Sequence, residues 1–581
     1  MTMRDDDLRV RPGRIQHGNR GTRSPKTFVG EVMRAAKKAG HVGNSFRPGG
    51  SRGRSSFGRG RRAAISIRLR ANARRVVMKA RVVRHGRLRS APLPKHLTYL
   101  KREGVTRDGQ DARMFGAASD AADERAFTER CEDDRHHFRF IISPEDAATL
   151  GNLKTFTREL MRDVESDLGT GLDWIAVDHW NTDNPHIHVL IRGRTDDGND
   201  LVISREYISR GFRDRAAEHV TMELGPRSEH EIRSALEREV AAERWTSLDR
   251  ALRDISDDCG GVADLRPSAD QEDPELRRLL VGRAARLECF GLAEPFGPAC
   301  WVLKPELEQS LRSLGMRNDR IKTMHQAMSA AGHEPDVSAF TLHGDTPSAP
   351  VLGRLVKRGL DDELKSTAYV IVAGVDGRTH YLRFNDLELT GDAPPGAVVE
   401  ARVYDDANGR RRVSLAIRSD LSIEAQVTVG GATWLDRQLL AKDASVSESG
   451  FGADMRKAME ARIDHLAGEG LARREAQGVT FARGLLATLR RREIEEAAAK
   501  LSAATGLAYQ PSAEGDHVTG IYRQRLTLAS GRFAMIDNGL GFQLVPWRPA
   551  IEKELGREVR GIIAPGGQVD WNFGRKRGLG L

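Results

Sequence analysis

Three histidines fall within ten residues in the stretch Val177-Asp178-His179-Trp180-Asn181-Thr182-Asp183-Asn184-Pro185-His186-Ile187-His188-Val189-Leu190-Ile191. Side chains two apart on a β-strand share a face, so His186 and His188 point one way. Ile187, Val189 and Ile191 then point the other way, where they can pack on helices. Asn181 to Pro185 is rich in turn-forming residues, and a chain that folds back there places His179 beside His186 and His188. Three neutral imidazoles converging on one point make a divalent-metal site that keeps positions open for a substrate. Asp178, Asn181 and Asp183 are the neighbours able to orient imidazole N–H donors.

Composition narrows what such a metal would act on. The first 90 of 581 residues hold 25 Lys or Arg against 4 Asp or Glu, a net +21, and the remaining 491 carry −11 of the overall +10. A basic arm on a mildly acidic body favours a polyanionic partner. Cys131, Cys259, Cys289 and Cys300 form no Cys-x-x-Cys pair, which argues against a cysteine zinc finger or disulfide scaffold and for a reducing cytoplasm. No Gly-Lys dipeptide occurs, so there is no Walker A loop for ATP. No run approaches the ~18–20 apolar residues of a membrane helix, and the acidic start, Met1 to Asp7, does not read as a secretory leader. A phosphodiester is then the natural substrate, with the metal acting as a Lewis acid.

A nucleophile is still needed. Of seven tyrosines, Tyr99 and Tyr207 lie near the histidines in the chain. A phenol ionises near ~10 and needs a cation or base beside it to react at neutral pH. Tyr99 has Lys101 and Arg102 close by; Tyr207 sits in Arg205-Glu206-Tyr207-Ile208-Ser209-Arg210. Composition does not choose between them.

The elements that must position these groups are readable from periodicity. Val76 to Val82 alternates as a strand, and His137 to Ile142, Asp173 to His179 and Ile187 to Arg194 follow as three more. Between them, Ser143-Pro144-Glu145-Asp146 reads as a serine-capped helix start. Leu153, Phe156, Leu160, Val164 and Leu168 line one face of that helix, and Gly169 stops it. The expectation is an α+β multidomain chain. Residues 1–75 form a disordered basic arm, with a short helix near Val29 to Ala39, and 76–225 an antiparallel-sheet domain. Residues 226–335 are helical and carry the parts of a winged helix: a helix over Pro274 to Glu288, a turn at Gly291, a hairpin over Pro295 to Leu303 and a further helix. Residues 336–425 suggest a small β-barrel, and 426–581 a helical plus β region. No strict internal repeat is evident.

His186-Ile187-His188, with His179 upstream, resembles the signature of the HUH endonuclease superfamily. Within it the block is most similar to relaxases, the mobilization nucleases, particularly those akin to T-DNA border-nicking enzymes. The segment Tyr99-Leu100-Lys101-Arg102-Glu103-Gly104 resembles their nucleophile motif, and Arg135 to Asp146 a second block. The tail, including Ala529-Ser530-Gly531-Arg532, resembles the long C-terminal extension of one relaxase subgroup. In relaxases the tyrosine precedes the histidines, an order that selects Tyr99. Tyr207 would instead suit a replication initiator or transposase, and a non-catalytic DNA-binding protein is the alternative from another class. Many relatives carry an acid two residues after the first histidine, where this chain has Asn181, so Asp183 or Asp178 takes that place or none does.

The resemblance implies Mg²⁺ or Mn²⁺ at His179, His186 and His188, and attack by Tyr99 on transfer-origin DNA that is single-stranded at the nick. It also implies accessory relaxosome proteins, a type IV secretion coupling protein, and a cytoplasmic enzyme able to travel with the DNA. Lys101, Arg102, Arg139 and Arg192 are the candidate DNA contacts. If the arm binds phosphates, removing residues 1–75 will flatten the dependence of DNA affinity on salt, because fewer counterions are released. An unchanged slope in a salt titration would make the arm a passive leader.

Overall fold

The computed structural model describes residues 72–572, apart from 86–92, 104–105, 109, 111, 181–183, 268–272, 366, 407–408, 442–445, 477 and 566–567. The basic arm and its expected short helix lie outside the described residues as far as 71. The 1–75 boundary reaches into folded chain, since Arg74 binds Asp146 (2.9 Å) and Arg75 binds Glu239 (3.2 Å). Two compact units emerge, Met1–Leu314 with Asp362–Ser366, and Gly315–Asp361 with Thr367–Leu581.

The first unit begins with β1 (Val76–Arg84), α1 (Leu93–Glu103), β2 (Phe115–Gly116), α2 (Glu124–Cys131), β3 (His136–Pro144), α3 (Leu153–Leu168), β4 (Trp174–His179) and β5 (His186–Arg192). The strands form one antiparallel sheet in the order β1-β3-β5-β4-β2. Both faces are covered. Phe138, Phe140, Ile187, Val189 and Ile191 pack against α3 and, after a π-helical turn at Tyr207–Gly211, α4 (Phe212–Leu224). Ile175, Val177 and Leu190 pack against Leu93, Leu97 and Leu100 of α1 and Phe127 of α2.

Helix α3 buries the five periodic residues of its apolar face, and Gly169 closes it at φ 64°. Its start differs from expectation. Ser143 and Pro144 end β3, paired with Val77 and Val76, and the helix begins nine residues later. There the Asn152 side chain accepts the N–H groups of Lys154 (2.8 Å) and Thr155 (3.3 Å). The strand ladder outcompetes the local capping signal.

The unit continues with α5 (Glu229–Val240), α6 (Ser247–Asp258), β6 (Val262–Asp264), α7 (Pro274–Cys289), β7 (Ala293–Gly297), β8 (Cys300–Leu303) and α8 (Leu307–Ala330), the division between units falling within α8. In the second unit, β9 (Phe340–Leu342), β10 (Val351–Asp362), β11 (Thr367–Gly374), β12 (Thr379–Phe384), β13 (Val398–Asp405) and β14 (Arg411–Ser419) form a sheet in the order β14-β13-β10-β11-β12-β9. The expected barrel is therefore a sheet with two edges: its described hydrogen bonding does not close, although Val370, Val372, Leu382 and Val399 share an interior cluster. Next come α9 (Ile423–Thr428), α10 (Trp434–Ala441), α11 (Gly450–Gly468), β15 (Ala472–Glu475), β16 (Gly478–Phe481) and α12 (Leu485–Thr505). The chain ends in a five-stranded sheet of β17 (His517–Leu528), β18 (Gly531–Asp537), β19 (Phe542–Pro546), β20 (Glu558–Ile563) and β21 (Val569–Trp571). The four cysteines are unpaired, and no helix among the described residues is long and apolar enough to cross a membrane.

One arrangement occurs in both units, which the sequence reading missed. In the first, Thr246 and Asp249 form a reciprocal cap at the start of α6, and the fully buried Arg283 of α7 binds Asp249 at 2.7 and 2.9 Å. Arg283 also donates to the carbonyls of Val240, Ala242 and Arg244. In the second, Thr433 and Asp436 cap α10, and the fully buried Arg462 of α11 binds Asp436 at 2.8 and 2.9 Å. Arg462 donates to the carbonyls of Val427, Val429 and Gly431. Each arginine helix then carries Arg-x3-Leu-x3-Gly-Leu-Ala, with Gly291 (φ 68°) and Gly470 (φ 71°) turning the chain into a hairpin and a following helix. Removing one partner of a buried ion pair typically costs about 3–5 kcal/mol because the other charge stays uncompensated. Asp436→Ala and Asp249→Ala are each expected to destabilise their own unit by about that amount in chemical denaturation, and a loss below about 1 kcal/mol would refute the lock.

Candidate metal centre

The cluster is built by strand register. His179 and His186 are directly opposed across β4 and β5, and His188 lies two residues further along β5 on the same face. The ring centroids of His179, His186 and His188 are 4.6–5.3 Å apart. Glu363, in the connection between β10 and β11, joins them: its Oε2 is 3.5 Å from His186 Nε2 and 3.3 Å from His188 Nε2. The two Nε2 atoms are themselves 3.2 Å apart. One donor atom from each of the four residues lies within 4.8 Å of the others, which fits the reach of a single cation.

Tautomers are set by what surrounds the rings. His186 Nδ1 lies 3.0 Å from the Asn184 carbonyl; a carbonyl only accepts, so Nδ1 carries the proton and Nε2 keeps its lone pair. His179 Nε2 likewise donates to the Leu100 carbonyl of α1 at 2.9 Å. Burial, reinforced by His188 and His186, pushes His179 down to about 3, so its ring is neutral at physiological pH. Burial also lowers His188 against the opposing pull of Glu363, whereas at His186 the Glu363 carboxylate outweighs burial and raises it. Glu363 is held ionised, its own burial overcome by the two imidazoles.

Residues 280–407 and 400–580 match the family described as protein of unknown function (DUF3363). The chain belongs to the DUF3363 family. No curated protein and no solved structure matches it. The first DUF3363 segment contains Glu363, so the family region contributes one of the four clustered side chains, while the three histidines precede it.

The remaining sequence candidates separate. Tyr99 belongs to α1, next to the Leu100 whose carbonyl contacts His179. Lys101 pairs with Glu124 (2.9 Å), and the side chains of Tyr99 and Arg102 are outside the described residues. Arg139 is buried on the histidine face and donates to His137 Nε2 (3.0 Å), leaving His137 Nδ1 to donate to His85 Nε2 (2.6 Å). Burial and the neighbouring Arg81 pull Arg139 down to about 9. Arg192 is engaged elsewhere, in a two-pronged pair with the buried Asp134 (2.8 and 3.2 Å), and is not a free phosphate contact. Asp178 does not orient the histidines: it opposes Ile187, faces the other side of the sheet and accepts from Trp180 Nε1 at 2.7 Å. Asn181 and Asp183 lie outside the described residues.

Tyr207 is excluded as the nucleophile by its environment. It is fully buried in the core on the sheet face opposite the histidines, and its hydroxyl donates to Asp167 at 2.7 Å. Burial, with Asp167, drives its ionisation up, away from reactivity. Sequence reasoning also missed His96, a buried residue of α1 whose charged form is disfavoured by burial and by Arg139. It lies on the buried face of α1 with Leu93 and Leu100 and is not one of the four clustered donors. Glu363 had no local signal at all, being 175 residues beyond His188. Tyr207→Phe is expected to cost about 1.5–3 kcal/mol of stability through the lost bond to a charged acceptor, and to leave Mn²⁺ affinity unchanged. A drop in metal affinity measured by calorimetry would reverse the placement of Tyr207 outside the site.

Proposed function

We propose that this chain is a metal-dependent DNA-nicking transesterase of the relaxase type, with Tyr99 as nucleophile and Mg²⁺ or Mn²⁺ held by His179, His186 and His188. One observation carries the reading: three buried imidazoles converge on one sheet face, and His179 among them donates to the carbonyl of Leu100, the residue next to Tyr99. Lys79, Arg81 and Arg139 occupy the same sheet face by register, a cationic strip suited to the phosphates flanking a scissile bond.

In the reaction, the Tyr99 oxygen forms a bond to the scissile phosphorus as the bond to the 3′-oxygen breaks. The phenol proton is lost and the departing 3′-oxygen ends as a hydroxyl, leaving the DNA 5′ end esterified to the protein. A bound cation would supply charge neutralisation on the phosphate oxygens. The chain itself contributes position: the Leu100 and Asn184 carbonyls fix ring tautomers, and the two apolar layers hold the sheet rigid. One phosphoester replaces another, so rejoining needs no nucleotide triphosphate. The natural substrate is a single-stranded stretch of transfer-origin DNA, with relaxosome proteins and a type IV coupling protein as the assembly that would move it.

Full-length protein incubated with Mn²⁺ and end-labelled transfer-origin oligonucleotides should give a covalent adduct stable to denaturing electrophoresis. Tyr99→Phe abolishes it and Tyr207→Phe retains it. An adduct that survives Tyr99→Phe sinks the assignment.

A further inference from the structure

Glu363 sits where the proposed metal would need a neighbour, and its contacts have dimensions that suit a shared cation. Charge-assisted N–H···O bonds at their shortest run about 2.7–2.9 Å, as Arg130–Asp173 and Arg283–Asp249 do at 2.7 and 2.9 Å, while Arg75–Glu239 stands at 3.2 Å.

 The Asp249 pair is the buried lock described above. Glu363 Oε2 instead stands 3.3 and 3.5 Å from two imidazole nitrogens that are 3.2 Å from each other. These three distances make a nearly equilateral triangle. Bonds of about 2.1 Å to one shared cation impose edges of about 3.0 Å at right angles and about 3.4 Å at the tetrahedral angle. The triangle has the dimensions of one face of a coordination polyhedron, and His179 supplies a further donor within 4.8 Å.

The carboxylate is also held in place. The Asp362 side chain accepts the N–H groups of Leu364 and Lys365, both at 3.1 Å, folding the connection into a tight turn. Arg81, on the histidine face of β1, donates to the Leu364 carbonyl at 3.2 Å. Glu363 thus projects from a turn pinned on both sides, as a ligand requires and an incidental surface acid does not.

We propose that Glu363 is a fourth protein ligand of the divalent cation, so that the DUF3363 segment completes a centre otherwise built by the histidine strands. This rests on the metal centre proposed above and gives part of the family region a chemical task. A carboxylate adds a hard oxygen and a negative charge to three imidazole nitrogens, which favours Mn²⁺ or Mg²⁺ over softer ions. A six-coordinate ion with four protein donors keeps two positions for substrate or water oxygens.

Mn²⁺ binding to the full-length protein, without DNA, tests this through the loss of the free-ion electron paramagnetic resonance signal. Glu363→Gln, which keeps the size of the side chain, is expected to weaken Mn²⁺ binding roughly 10-fold or more, with Glu363→Asp intermediate and thermal melting unchanged. Binding by Glu363→Gln as tight as in the wild type, or tighter, overturns the proposal, because the carboxylate would then be occupying the place of the cation. His188→Ala separates the two levels. If it too leaves Mn²⁺ binding intact, or if the wild-type protein binds none, the metal centre falls and the fourth ligand with it. If Glu363→Gln loses affinity as expected while no oligonucleotide yields an adduct, the ligand stands and the nicking reaction falls.

Discussion

The register of β4 against β5 is the constraint on which the rest of the site depends. A slip of one residue would turn His186 and His188 to the opposite face and separate them from His179. The register is fixed twice, because both faces of the sheet are buried: Ile187, Val189 and Ile191 must meet α3 and α4, while Val177 and Leu190 must meet α1 and α2. The histidines occupy the end of the second face, where the α1 layer presents a backbone carbonyl rather than another leucine. An imidazole tolerates this position because its neutral form is cheap to bury, and burial in turn preserves the lone pair that a metal would need.

Charge balance on that face explains why an acid belongs there. Arg81 and Arg139 oppose each other across β1 and β3, and Arg139 is buried. A cation added beside them would raise the local positive charge further. Glu363 offsets it, and the turn that carries Glu363 is tied to Arg81 through the Leu364 carbonyl. The same arginines that would attract a DNA phosphate therefore also help to place the carboxylate.

Much of this was legible in the sequence, for local reasons. The alternation of Ile187, Val189 and Ile191 with His186 and His188 specified the strand and its two faces, and Gly169 marked the end of α3 by its left-handed conformation. What failed depended on competition between signals or on distance along the chain. Ser143 and Pro144 read as a helix start but were claimed by the β1 ladder. Asp178 seemed adjacent to the histidines, yet strand alternation puts it on the other face, and Arg192 shares their face but is drawn to Asp134. Glu363 was invisible because only the tertiary fold brings the β10–β11 connection to the histidines.

The repeated arrangement escaped notice because its shared residues are few and buried. Val240, Ala242, Arg244, Thr246 and Asp249 recur in role 187 positions later as Val427, Val429, Gly431, Thr433 and Asp436, whereas Arg283 and Gly291 recur 179 positions later as Arg462 and Gly470. The difference between the two offsets is absorbed in the segment that precedes each arginine helix, so no single alignment without a gap reveals both halves. Even the support behind the cap is repeated: the Glu239 side chain accepts the Leu248 N–H as the Gln426 side chain accepts the Leu435 N–H. A fully buried pair resists change, since losing either partner strands the other charge, while residues on the hairpins face no such penalty. The hairpins differ, one exposing Phe296 and the other Arg473 and Arg474. The two copies thus share one buried lock and differ in the side chains that their hairpins expose.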